Sequence, residues 1–152
     1  MNDRTCPECG APLENVTECR EYLNEMVKWD FEDFIGVGQI HHLTVLSYYL
    51  QHPSVYSAKG LENAKESLVE FSKHPVSYSE HGKYDRKHLG SDVRSWKITG
   101  TPEDHGQYAT KPEWTMLASD VVRAGLGSYV PNVSAWSESI LEALKTSGNL
   151  TV

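Results

Sequence analysis

The chain has 152 residues, of which 39% are hydrophobic and 23% charged, a composition that fits one globular domain and excludes disordered, collagen-like and coiled-coil chains. Its 14 Lys and Arg against 21 Asp and Glu give a net charge of -7, which argues against a nucleic-acid or membrane binder. Because no apolar run reaches membrane-spanning length and the N-terminus has no signal pattern, we expect a cytoplasmic protein with a single domain over 1–152.

Residues 1–14 are poor in apolar side chains and predict a metal-binding knuckle that packs on a helical bundle over 15–152. Their centre is Cys6-Pro7-Glu8-Cys9-Gly10, in which two thiolates can bind one tetrahedral ion and the glycine permits a tight turn. The three cysteines cannot all pair in disulfides, whereas three thiolates and one imidazole complete a structural zinc site. Redox-active or inert thiols are the alternative interpretation.

Three helices are predicted before residue 76. Asn15 and Glu18 have capping-box spacing and start the first helix. The second covers 39–51, is apolar on most sides and therefore central, and ends before Pro53. Ser57 caps the third. The predicted buried stripes are Cys19, Tyr22, Leu23, Met26 and Val27 on the first helix, and Leu61, Ala64, Leu68 and Phe71 on the third.

The C-terminal part of the chain predicts a long irregular connection over 76–110, with a candidate strand at 94–99, and then two more helices. Thr110 and Glu113 have capping-box spacing and start the fourth helix. Asn132 or Ser134 starts the fifth, and Gly148 closes it. The buried face of the fifth helix is predicted to be Val133, Trp136, Ile140 and Leu144. The expected fold is mainly α, a bundle of about five helices with an N-terminal knuckle flap.

Cys19 is the third candidate thiolate, because it follows the knuckle closely, although a cysteine on an apolar stripe is also an ordinary buried residue. A histidine on the second helix would supply the fourth ligand. A helical wheel places His42 on the flank of the apolar centre and His41 nearly opposite. We therefore predict zinc bound by Cys6, Cys9, Cys19 and His42, with His41 as the alternate. A core histidine bonded to a carbonyl is the competing interpretation of His42.

Two further sets of polar residues are candidate ligand sites. The first set lies on the face of the second helix that is opposite its apolar centre. The second set lies in 81–97, the basic stretch of an acidic chain, where guanidinium groups could hold phosphate or carboxylate. Ordinary surface residues and a solvated loop are the respective alternatives. The candidates are His41, Tyr48 and His52 on the helix, and Arg86, His88 and Arg94 in the basic stretch.

Several segments resemble an uncharacterised bacterial family of domains of unknown function that begins with a zinc knuckle. They are Cys-Pro-Glu-Cys-Gly-Ala-Pro at 6–12, His-His-Leu-Thr-Val at 41–45, Leu-Gln-His-Pro-Ser at 50–54 and Trp-Thr-Met at 114–116. The resemblance implies a metal site and no activity. A looser similarity to DinB-like helical bundles would imply a metal held by three histidines on different helices. His42, His81, His88 and His105 are available, but their spacing identifies no triad.

Two classes of function fit these observations. The first is a non-enzymatic, zinc-stapled module that binds a protein partner or forms a homo-oligomer. A closed structural zinc cannot activate water, and the sequence has no G-x-S-x-G, H-E-x-x-H, Walker or dinucleotide signature. The second is a small metal-containing enzyme or anion-ligand binder that uses the candidate polar residues. We favour the first.

Overall fold

The computed structural model describes residues 4–13, 16–32, 37–73 and 100–150, with the side chains of 30–40 left aside. These residues form a tight N-terminal turn and five α-helices, with 3-10 turns at Pro53–Val55 and Leu126–Ser128. The helices are α1 (Arg20–Glu32), α2 (Val37–Leu50), α3 (Ala58–Lys73), α4 (Ala118–Ala124) and α5 (Tyr129–Thr146). No strand occurs in the described ranges, so the prediction of a mainly helical fold is confirmed.

Helix α2 lies at the centre of the bundle, where it packs against α1, α3 and α5. A helix surrounded by others cannot keep a polar face, which explains why its sequence is apolar on most sides. The polar residues that it buries are tied to its neighbours: Thr44 Oγ1 lies 2.7 Å from the hydroxyl of Tyr129 on α5. Just beyond its end, the Gln51 side chain accepts a hydrogen bond from Trp136 Nε1 at 3.2 Å. These contacts fix α2 against α5.

The first and third helices bury the faces that the sequence predicts. The stripe residues of both are buried, apart from Val27, which is partly exposed. Helix α1 begins at Arg20, later than expected, and the carboxylate of Glu21 accepts a hydrogen bond from the backbone N–H of Glu18 at 3.0 Å. Ser57 caps α3 as predicted, because its Oγ accepts the N–H of Gly60 at 3.0 Å.

The last two helices begin at residues other than those predicted. Helix α4 begins at Ala118 and not near Thr110, and the carboxylate of Asp120 accepts the N–H of Leu117 at 2.8 Å. Helix α5 begins at Tyr129, before Asn132, because the first turn of a helix tolerates Pro131. Its end agrees with the prediction, since Gly148 adopts a φ of 80°. The buried face of α5 is confirmed: Val133, Trp136, Ile140 and Leu144 are fully buried.

Residues 100–117 form an irregular segment that is bound to the end of α2 and to the 3-10 turn after it. The N–H of Gly100 donates to Val55 O at 3.0 Å, and the N–H of Gly106 donates to Tyr56 O at 2.6 Å. The Tyr108 hydroxyl donates to Leu50 O. The approach is so close that a Cβ on Gly106 would lie 3.0 Å from Leu61 Cβ. The rest of the predicted connection, with the candidate strand at 94–99, lies outside the described residues.

Among the helices described, none is both long and apolar enough to cross a membrane.

Candidate metal centre

The N-terminal turn presents two cysteine side chains on the same side of the chain. The N–H of Cys6 donates to Ala11 O at 2.8 Å, and the N–H of Gly10 donates back to Cys6 O at 2.8 Å. Gly10 adopts a φ of 85°, in the left-handed region that residues with a side chain resist. The N–H of Ala11 also points at Cys9 Sγ, 3.4 Å away. The turn thus has the form of a knuckle, with a backbone N–H aimed at a sulfur atom.

Four side chains from three parts of the chain meet beside this turn. Cys19 Sγ lies 3.6 Å from Cys9 Sγ and 3.4 Å from His52 Nε2. Cys6 Sγ lies 3.5 Å from the same Nε2 atom. The ligand atoms of Cys6, Cys9, Cys19 and His52 all lie within 4.8 Å of one another, and each of the four residues is at most 9% exposed. The cysteines are free, since a disulfide would bring the sulfur atoms to about 2 Å. This cluster could hold a metal ion.

His52 is oriented by the way α2 ends. Pro53 cannot continue the helix, and the N–H of His52 donates to Tyr49 O at 2.9 Å in a final tight turn. The Nδ1 atom of His52 lies 2.6 Å from Tyr48 O, and the ring stacks on the Tyr48 ring at 4.0 Å. Because a carbonyl can only accept, Nδ1 carries the proton and donates it. The lone pair of Nε2 then points at the sulfur atoms, as in most protein histidines that bind metals.

The charges of this cluster are strongly coupled. Hydrogen bonds from Cys19 and Cys9 lower the pKa of the Cys6 thiol, whereas contact with Cys19 and Cys6, together with burial, raises the pKa of Cys9. Burial lowers the pKa of His52, but hydrogen bonds to Cys19 and Cys6 outweigh it and raise the value to about 10. The raised pKa of Cys9 means that a third thiolate forms here only when a positive charge lies between the sulfur atoms. A proton on Nε2 supplies one, and a metal ion in its place supplies more.

The structure brings His52, and neither His42 nor His41, to the three cysteines. His42 lies in the first half of α2, and its ring is tilted against Phe71 of α3 at 5.5 Å between centroids. The ten residues from His42 to His52 span about 15 Å of helix. The Tyr129 hydroxyl bonds both Met26 O of α1 and Thr44 of α2, and Cys19 before α1 meets His52 after α2, so the two helices run antiparallel. The cluster that could hold a metal therefore contains His52 and not His42.

The other candidate ligand residues do not form the polar face that the sequence predicts. Tyr48 is 4% exposed, and its ring packs on His52 inside the protein. His41 is half-buried and lies at the opposite end of α2 from His52. Arg86, His88 and Arg94 lie outside the described residues. The anion site proposed on these three residues stays a prediction.

Sequence reasoning did not group His52 with the three cysteines, because the residue was placed on a helical wheel. The wheel does not apply to it, since the helix ends at Leu50. The signal in the sequence is the His-Pro pair, which marks the end of the second helix. Helices that are neighbours in sequence commonly pack antiparallel, and the start of the first then lies near the end of the second.

Comparison with known proteins places this arrangement in a family. A family model described as "Family of unknown function (DUF5946)" matches residues 4–145, which include the knuckle, Cys19 and His52. The chain belongs to the DUF5946 family. The expectation of an uncharacterised family is thereby confirmed. No curated protein and no solved structure shows a significant match. The similarity to DinB-like bundles stays a prediction.

Proposed function

We propose that Cys6, Cys9, Cys19 and His52 bind one structural zinc ion. The observation that carries this proposal is the spacing of the ligand atoms. A zinc tetrahedron with Zn–S of about 2.3 Å and Zn–N of about 2.0 Å has S–S edges of roughly 3.8 Å and S–N edges of roughly 3.6 Å. The S–S contact of 3.6 Å and the S–N contacts of 3.5 and 3.4 Å are close to these edges.

The chemistry of the ligands favours zinc over other divalent ions. Magnesium and calcium prefer oxygen ligands, and none of the four ligand atoms is oxygen. Three thiolates and an imidazole are a common structural zinc set. The hydrogen bond from Nδ1 of His52 to Tyr48 O supports the same assignment, because it fixes the tautomer whose Nε2 binds a metal.

A zinc ion at this position would crosslink three segments of the chain. Cys6 and Cys9 belong to the knuckle, Cys19 lies immediately before α1, and His52 follows α2. Four protein ligands fill a tetrahedral zinc, so no position is left to activate water. The function that we propose is therefore that of a non-enzymatic binding module. Its partner is a protein or a second copy of the chain.

Metal analysis tests the ligand set. Protein purified without added metal is analysed by X-ray fluorescence, and we expect about one zinc per chain. His52→Ala should lose the metal, and His42→Ala is the matched control that should keep it. A well-folded metal-free protein, or loss of zinc from His42→Ala but not from His52→Ala, would overturn the assignment.

Cobalt substitution tests whether the centre is closed. Co²⁺ at a site with three thiolates should give sulfur-to-metal charge-transfer bands and tetrahedral visible bands. Adding azide or cyanide should leave the visible bands unchanged, because no coordination position is open. A spectrum that shifts at millimolar azide would show an open position and would favour a metal-dependent enzyme.

A further inference from the structure

A cleft of about 250 Å³ lies beside the knuckle. Glu8 of the knuckle forms one wall, and residues of the irregular segment 100–117, among them Tyr108 and Trp114, form the opposite wall. The end of α2 contributes Gln51. Typical ligand pockets measure roughly 300–1,000 Å³, so this cleft suits a small chemical group.

Glu8 places a buried carboxylate oxygen at this cleft. Its Oε2 atom is buried and has no hydrogen bond to any described residue. Buried polar atoms are nearly always paired, and an unpaired buried carboxylate oxygen destabilises the folded protein. The hydrogen bonds of the knuckle hold the backbone at Glu8, because Cys6 and Gly10 on either side of it are bonded across the turn. The carboxylate is therefore held at the cleft, and its buried oxygen has no hydrogen-bond partner among the described residues.

The opposite wall is aromatic and rigid. The rings of Tyr108 and Trp114 meet edge to face, with 6.0 Å between centroids. Tyr108 is anchored through its hydroxyl to Leu50 O, and burial raises its pKa, with further contributions from nearby Tyr56 and Glu8. An aromatic face attracts cations through its quadrupole. A carboxylate opposite such a wall is a suitable site for a positive charge.

The other polar groups of the cleft also favour a cation. His105 donates its Nδ1 proton to Gly106 O at 2.9 Å, so its remaining ring nitrogen is an acceptor in the neutral form. Lys111 is the exception, but its side chain is exposed to solvent, whereas Glu8 Oε2 is shielded from it. An ammonium group in water gains little from a nearby surface charge. The net charge of -7 adds a general attraction for cations.

We propose that this cleft binds an organic cation, an alkylammonium or guanidinium group, whose charge pairs with Glu8 and whose alkyl part packs on Trp114. The proposal depends on the metal centre only through the position of the knuckle. It is tested on zinc-loaded, full-length protein of measured zinc content. Loss of zinc and failure to bind the cation are then separate results.

The first experiment uses n-butylammonium chloride as the probe. It is titrated into ¹⁵N-labelled protein while the Trp114 indole and Gly106 amide signals are followed. We expect saturable shifts of both signals at millimolar concentration. n-Butanol and pentanoate have the same butyl chain without the positive charge, and they should shift these signals at least about tenfold less at the same concentration. Equal shifts with n-butanol, or no shifts with n-butylammonium, would overturn the proposal.

The second experiment uses variants. Glu8→Gln removes the charge at nearly constant volume and should raise the Kd for n-butylammonium by about tenfold or more. Glu113→Gln is the matched control, since Glu113 is exposed and does not line the cleft. Its Kd should stay unchanged. If Glu8→Gln keeps its zinc and its dispersed spectrum but binds as tightly as the parent, the proposal fails. If Glu8→Gln does not fold, the n-butanol comparison on the parent protein decides.

The source of the cation is distinguished by a third probe. N-acetyl-lysine methylamide presents the ammonium group as a protein side chain does. Binding as tight as that of n-butylammonium indicates that a lysine of a partner protein can enter the cleft. Binding at least about tenfold weaker indicates a free small amine. Both results support the cation site. If neither n-butylammonium nor N-acetyl-lysine methylamide binds, the proposal is wrong.

Discussion

Nε2 of His52 lies 3.4 Å from Sγ of Cys19, although 33 residues separate them along the chain. The contact joins the start of α1 to the end of α2, and the knuckle closes over both. The Nδ1 proton of the same imidazole is committed to Tyr48 O at 2.6 Å. One histidine side chain therefore links the knuckle and the central helix of the bundle, which is why the metal site and the fold are expected to lose stability together.

Removing one ligand of the metal centre should destabilise the whole protein. We expect Cys9→Ser and His52→Ala each to cost at least ~3 kcal/mol, because the free energy of zinc binding is also folding free energy. For a chain of this length, that corresponds to a fall in Tm of about 6–12 °C. Thermal unfolding followed by circular dichroism measures it. His42→Ala is the control. If its Tm is as low as that of His52→Ala, the prediction is contradicted.

Chelation should reproduce the effect of these substitutions in the parent protein. A strong zinc chelator removes the ion, and the knuckle then loses the bonds that hold it to α1 and α2. We expect a lower Tm, and recovery when zinc is added back under reducing conditions. The Cys9→Ser variant should be insensitive to the chelator. A Tm that the chelator leaves unchanged in the parent protein would show that the four side chains are held by packing alone.

Gln51 should be intolerant of an apolar replacement, although it is fully buried. Its Nε2 donates to Met116 O at 2.8 Å, and its Oε1 accepts from Trp136 Nε1 at 3.2 Å. Gln51→Met leaves Trp136 Nε1 buried and unpaired and removes the donor to the half-buried Met116 O, at an expected cost of about 1–3 kcal/mol. Urea unfolding measures the change. Gln107→Met, on an exposed glutamine, should change the free energy of unfolding by less than about 0.5 kcal/mol.

Two glycines should respond in opposite ways to alanine. A Cβ on Gly106 would lie 3.0 Å from Leu61 Cβ and 3.1 Å from Pro53 O, so Gly106→Ala should push the segment 100–117 away from α3 and from the 3-10 turn Pro53–Val55. We expect a loss of about 1–3 kcal/mol. A Cβ on Gly127 would meet no atom within 4 Å, and Gly127→Ala should be neutral or stabilise by up to about 1 kcal/mol. Equal stabilities of the two variants in urea unfolding would be inconsistent with the packing described.

The local pattern of the sequence was sufficient to predict the helices and most of their buried faces. The stripes of α3 and α5 follow from the 3.6-residue period alone, because only one side of each helix can be apolar and remain in contact with the core. Helix starts were predicted less well: Thr110 and Glu113 have the spacing of a capping box, but α4 begins at Ala118. The residues before Ala118 belong to the segment 100–117, which contacts the end of α2. Because these contacts join distant parts of the chain, the local sequence pattern does not show them.

The sequence by itself also determined which cysteines meet, because the C-x-x-C-G turn is a local structure and Cys19 follows it closely. Which histidine joins them was decided by tertiary structure. A helical wheel tells which face of α2 a residue occupies, but the ligand had to come from the correct end of that helix. That end is set by the antiparallel packing of α1 on α2, which brings His52 to Cys19 and leaves His42 about 15 Å away along the helix.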